Sequence, residues 1–151
     1  MAIDFITQSE LIDEMIAILK ADAPLAAFVA AQYPGDSITY FDGPEGYDPP
    51  GENEAPFVSF YREKVNGGEA VSTWSIPLSV ECGLKDERVE TVAADNFRQT
   101  GVRNTETYAN LIYDAIREGI PCNANIDDAS WEIEGTSYPL FLGYTLLTIN
   151  I

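Results

Sequence analysis

Between Trp74 and Leu84 the chain alternates without a break, with Trp74, Ile76, Leu78, Val80, Cys82 and Leu84 set against Ser75, Pro77, Ser79, Glu81 and Gly83. A period of two held this long means a strand with one dry face and one wet face. It commits the fold to a sheet whose apolar side must be covered by something else. Pro56-Phe-Val-Ser-Phe-Tyr-Arg-Glu63 precedes it, and Asn66-Gly67-Gly68 between the two segments is a hairpin signal. Pro77 has no backbone N–H, which predicts an edge strand or a bulge. A long edge invites pairing unless it is covered, and a second subunit is one natural cover.

The helices that could cover such a sheet are also legible. Thr7-Gln8-Ser9-Glu10 reads as a capping box, with Ile6 and Leu11 placed for a hydrophobic staple. Leu11, Ile12, Met15, Ile16 and Leu19 then form one apolar stripe. A second short helix is expected from Pro24, carrying Leu25, Phe28 and Val29 inward and stopping before Tyr33-Pro34-Gly35. A late helix carries Tyr108, Leu111, Ile112, Ala115 and Ile116 on one side, capped by Asn104 or Thr105 and ended by Gly119 and Pro121. Ser37 to Phe41, about Ala129 to Glu134, and Pro139 to Ile151 complete the set of strands. In the last of these Leu140, Leu142, Tyr144 and Leu146 share a face, after which the apolar phase moves to Leu147, Ile149 and Ile151. A phase slip of this kind implies a bulge or burial on both sides. The order α-α-β-β-β-α-β-β predicts an α+β fold, mainly an antiparallel sheet with helices packed on one face and a long β-hairpin arm.

Two segments resist any such period. Residues 42–55 are dense in Pro, Gly and carboxylates, and are expected to be an exposed loop with Asp42, Glu45, Tyr47, Asp48, Glu52 and Glu54 available to a partner. The spacing of a calcium loop is missing, so no metal is expected there. Residues 85–103 hold four of the chain's eight basic residues, and read as a second exposed loop or arm. A structureless stretch of that length in a small protein is usually functional or ordered by a partner. Arg62, Arg98 and Arg103 are the candidate cations for inter-subunit pairs, and the apolar C-terminus, Leu147 to Ile151, is expected to pair into a sheet or dock on a neighbour.

Composition removes whole classes of chemistry. The 151 residues carry 8 Lys+Arg against 25 Asp+Glu, a net charge of −17, with no histidine. The length fits a single domain spanning 1–151, and a hydrophobic content of 46% is too high for a disordered acidic tail. Without histidine there is no Ser-His-Asp triad and no His-ligated zinc. Cys82 and Cys122 are too few for a four-thiolate site and read as small core residues in a reducing compartment. Neither a Walker loop nor G-x-G-x-x-G nor G-x-S-x-G occurs. An enzyme is therefore not expected, nor any cofactor. The negative charge disfavours ordinary binding to nucleic acid or anionic membranes, and no apolar run reaches the roughly 20 residues of a membrane span.

In size and order of elements the chain resembles the tail terminator and tail-completion proteins of long-tailed bacteriophages, and more loosely their head–tail joining proteins. The resemblance is carried by the N-terminal amphipathic helix, the acidic loop, the strand opening Pro56-Phe-Val-Ser-Phe-Tyr, the hairpin Tyr61 to Leu84, the helix Thr105 to Glu118 and the terminal hairpin Trp131 to Ile151. It implies a non-catalytic subunit of a homo-oligomeric, hexameric ring. Such a ring caps the tail tube, meets neck or connector proteins, and lets DNA pass an acidic lumen without specific binding. It further implies a place in the virion, after assembly in a bacterial host's cytoplasm. Two readings from other classes compete. A DNA-mimic inhibitor would need carboxylates in duplex-like rows, whereas these are spread along the chain. A two-carboxylate hydrolase would need a pair about 5–10 Å apart, which 25 acids supply by chance.

Overall fold

A computed structural model describes residues 7–43, 50–63, 75–120, 125–126, 130–134 and 137–150. Helix α1 (Gln8–Ala21) starts on the expected capping box, in which Thr7 Oγ1 accepts from Glu10 N–H and Glu10 accepts from the Thr7 N–H. Leu11, Ile12, Met15 and Leu19 are its buried stripe. Ile6 lies outside the described residues, and the staple with it. Helix α2 (Ala23–Gln32) has Pro24 in its first turn and is capped by Asp22, whose carboxylate accepts from Leu25 N–H. Helix α3 (Thr100–Gly119) buries Tyr108, Ala109, Ile112, Ala115 and Ile116, and begins earlier than Asn104.

The strands are β1 (Thr39–Asp42), β2 (Phe57–Arg62), β3 (Ser75–Lys85), β4 (Val89–Ala93), β5 (Asn96–Gln99), β6 (Asn125–Ile126), β7 (Glu132–Glu134) and β8 (Leu140–Asn150). The main sheet runs β1-β2-β3-β8-β6, with β7 also paired to β8. Every pair in it is antiparallel except β1 with β2. All three helices lie on one face, where Leu11, Met15, Leu25, Tyr108 and Ile112 pack over Val58, Phe60, Leu78, Val80, Cys82 and Leu147. The fold is α+β. No described helix is long and apolar enough to cross a membrane.

Three sequence expectations are corrected. Strand β3 is central, held by β2 on one side and β8 on the other, so Pro77 does not mark an edge. The last β2–β3 pair is Arg62 with Leu78, so Pro77 stands one position beyond the ladder on that side. There the Gln8 side-chain amide donates to the carbonyls of both Glu63 (2.7 Å) and Pro77 (3.2 Å) and closes the gap. Strand β8 has no bulge: its register against β3 is continuous, and its buried face is Phe141, Gly143, Thr145, Leu147 and Ile149 throughout. Residues 85–103 are not a loop, because they contain the β4–β5 hairpin and the first turn of α3. Cys82 is a buried free thiol, as expected of a core residue. Cys122, Trp74 and the Asn66-Gly67-Gly68 turn lie outside the described residues.

Candidate assembly surface

Beyond Lys85 the chain leaves the main sheet and forms a separate two-stranded ribbon, β4 with β5. All five residues of β4 are exposed. The pairing is Val89 with Gln99, Glu90 with Arg98 and Thr91 with Phe97, and it shifts by one between Thr91 and Ala93, leaving Val92 as the extra residue. Paired residues share a side of a ribbon, so Val89 and Phe97 stand on one side, Glu90 and Arg98 on the other. Phe97 is 63% exposed and Val89 54%. An isolated hairpin is marginal in water, so the ribbon depends on its root and on whatever covers its apolar side.

The root is a buried polar knot. The Asp86 side chain is only 2% exposed. Its Oδ2 accepts from the Tyr33 hydroxyl (2.8 Å) and from Arg88 Nη2 (2.7 Å), and its Oδ1 accepts from Arg88 Nε (2.9 Å) and backbone N–H (3.0 Å). Asn104 Nδ2 in turn donates to the Tyr33 hydroxyl and to Gln32 Oε1, both at 3.1 Å. Burial first, then the Asp86 carboxylate, pushes the Tyr33 hydroxyl up to about 12 against the pull of Asn104, so it remains a donor. Burial by itself would raise the Asp86 carboxyl. The hydrogen bonds from Arg88 and Tyr33 outweigh it and hold the group below its usual range. Backbone bonds from Asp86 N–H to Pro139 O (2.9 Å) and Thr100 N–H to Arg88 O (3.1 Å) fix the ribbon between β8 and α3, and the Tyr138 hydroxyl donates to Glu87 O (2.9 Å).

A second surface is the side of the sheet opposite the helices. Strand register sets its side chains in cross-strand rows: Ser59, Glu81, Tyr144 and Glu132 in one, and Tyr61, Ser79 and Leu146 in the next. Leu142 and Glu134 pair in a third. Leu146 is 54% exposed, and Tyr61 and Tyr144 are half-buried. The Glu81 carboxyl is buried and hydrogen-bonded by the Tyr144 and Tyr61 hydroxyls. Burial, with Glu134 nearby, raises its protonation range despite those donors. A raised folded value gives stability that is complete below the unfolded value of about 4.3 and lost as pH rises through the folded one. Glu81→Gln is therefore expected to raise the melting midpoint by roughly 2–4 °C at pH 7 and to leave it unchanged near pH 3.5. Parallel thermal melts of the two proteins at both pH values check this.

The structure does not gather the nine sequence-predicted contact residues into one patch. Asp42 pairs with Arg62 (2.7 Å), which also donates to Ser9 Oγ (2.9 Å), at the end of β1 and β2. Glu52 faces Lys85 at 3.8 Å, and Glu54 Oε2 accepts from Gly51 N–H (2.8 Å) in a local turn. These acids are thus occupied within their own chain. Glu45, Tyr47 and Asp48 lie outside the described residues. Arg98 and Arg103 do converge, on Glu90: Arg98 Nε pairs with it at 2.7 Å, and the two guanidiniums, Arg98 foremost, hold its carboxyl below the usual range. Sequence reasoning missed Asp86, Tyr33 and Asn104, which only the fold brings together. It also passed over Val89 and Phe97, although two apolar residues among charges were visible. Among the described residues no three metal-ligating side chains converge.

No protein-family model and no curated protein matches the sequence. Among solved structures, the chain is similar to one described as the virion of a native gene transfer agent particle. The two are 12% identical, the alignment covers 93% of this chain and 92% of that one, and the TM-score is 0.46.

Proposed function

We propose that this chain is a virion structural subunit, a tail terminator (completion) protein of a phage or phage-like particle. In this reading the whole chain is one domain, and copies of it close into a ring at the end of the tail tube. Neck or connector proteins join the other side, and DNA passes through without being specifically bound. The number six for the ring, and its place at the tube's end, come from the resemblance in element order. The observation that carries assembly is the β4–β5 arm. A ribbon with Val89 and Phe97 in water on one side, pinned at its root by the buried Asp86 carboxylate and its Arg88 and Tyr33 partners, is a projection built to be covered. Arg98 and Arg103, beside Glu90 on and next to the arm, are the sequence-predicted cations nearest this contact, although Arg98 is paired with Glu90 within the monomer as Asp42 is with Arg62 and Glu52 with Lys85.

Native mass spectrometry and negative-stain microscopy test the reading, using the purified full chain alone and with tail-tube subunits. The expected result is a ring with a central opening, and tubes whose growth stops when it is added. A ring that binds connector proteins yet leaves tube growth unchecked would make the chain a neck adaptor instead. A monomer under both conditions overturns assembly altogether.

A further inference from the structure

We propose that the helix-free face of the sheet is the seat for the β4–β5 arm of a second copy. The inference rests on the reading that copies assemble, and it deepens it by naming the surface that receives the arm. That face is amphipathic in a way a wet face need not be. Leu146 stands 54% exposed in a row with the half-buried Tyr61, beside the ring of Tyr144. Apolar and aromatic area rimmed by polar groups is the composition of an interface core.

Charge selects the occupant. The face carries Glu81, Glu132 and Glu134, and the chain as a whole is at −17, so copies repel one another over most of their surfaces. Residues 85–103 are the exception. They hold Lys85, Arg88, Arg98 and Arg103 against Asp86, Glu87, Glu90 and Asp95, and so are neutral, with the rest of the chain carrying the entire −17. The arm is thus the segment that can bring the exposed Val89 and Phe97 to an acidic, apolar face without adding to the repulsion between copies. All of β4 is exposed, so the chain's own sheet does not cover it. An arm on one copy that fits a face on the next makes a heterologous contact, the kind that closes into a ring when the rotation permits.

Two full-length variants test this, Phe97→Glu in the arm and Leu146→Glu in the face. Both positions are more than half exposed in the monomer, so each variant is expected to melt as the wild type does. Leu146→Ser replaces Leu146→Glu if the latter melts early. In sedimentation, each variant alone is expected to associate at least about tenfold more weakly than wild type. Mixed in equal amounts, the intact arm of the face variant meets the intact face of the arm variant. The product is a dimer of one copy of each that cannot grow further. Leu146 variants that assemble like wild type overturn the seat and leave the ring reading standing. Two monomeric variants that give no mixed dimer overturn it as well. A wild-type chain that never associates removes the ring reading, and the seat with it.

Discussion

Asp86→Ala is expected to cost about 3 kcal/mol of folding stability and to detach the arm from the body. The estimate follows from what the carboxylate holds: a buried anion with a bidentate guanidinium, a backbone N–H and a tyrosine hydroxyl on its two oxygens. Hydrogen bonds to a charged group contribute about 1.5–3 kcal/mol each. Removing the anion also leaves the Tyr33 hydroxyl without its acceptor, although half-exposed Arg88 can turn to water. Asp86→Asn keeps the shape and one acceptor, so it should lose about half as much. The pH dependence has a definite sign. Because the folded carboxyl titrates below its usual range, its contribution is complete above about pH 4 and disappears as pH falls through the folded value. Denaturant melts from pH 7 to pH 2.5 should show the difference between wild type and Asp86→Ala shrinking only at the acid end. Hydrogen exchange across residues 89–99 should speed up far more than exchange in β3 or β8. Equal acceleration everywhere would mean that the knot stabilises the whole fold and does not anchor the arm in particular.

The helices and the central hairpin could be read from sequence because their signals are local. Thr7 and Glu10 lie one turn apart, and Ile76 to Leu84 alternate within a single strand. What failed was whatever depended on a neighbour. Pro77 suggests an edge only if the missing N–H must face a strand; here β2 has already ended, and the Gln8 side chain serves the Pro77 carbonyl instead. Strand β8 looked out of phase because its buried face includes Gly143 and Thr145, while its other face carries Leu140, Leu142, Tyr144 and Leu146. Gly143 packs closely there: a Cβ would stand 3.0 Å from Cys82 Sγ and 3.2 Å from Ile133 Cδ1, so those side chains would have to give way. Thr145 is accommodated because its hydroxyl donates to Ser130 O at 2.8 Å. The misread phase and the proposed seat share one origin, a strand with apolar residues on both sides and helices on only one.

The candidate site was legible as a segment and not as a mechanism. Residues 85–103 stand out by charge, but the sequence offers no periodicity there because a short, largely exposed ribbon has no dry face to impose one. The acidic loop was the more conspicuous candidate. Among the described residues its carboxylates are taken up by Arg62, Lys85 and the Gly51 turn, so a run of charge overstates what remains for a partner. Asp86 and Tyr33 are 53 residues apart, and nothing in the intervening sequence announces that they meet.

Gly101→Val is expected to destabilise the protein by about 3 kcal/mol and to weaken assembly in the same step. Helix α3 begins at Thr100, directly after the arm, and Gly101 in its first turn is buried against Phe141. A Cβ there would fall on the Phe141 ring, which is fully buried and cannot swing into solvent. Overpacking of a closed core costs about 1–3 kcal/mol, and more where the neighbour is rigid. A glycine inside a helix ordinarily costs up to about 1 kcal/mol relative to alanine. Close approach of helix and strand is what keeps it here. The strain would not stay local. Phe141 packs edge-on against Tyr138 at 6.1 Å between centroids, and the Tyr138 hydroxyl holds Glu87 O at the arm's root. Gly101→Ala should therefore cost less, about 1–2 kcal/mol, since the helix gains back part of what the contact loses. Phe141→Leu supplies the control, because it opens a space under Gly101 and should absorb much of the penalty when the two changes are combined. If the costs of Gly101→Val and Phe141→Leu simply add in urea melts, the contact between them is not the source of the strain, and the arm's root is not reached through it.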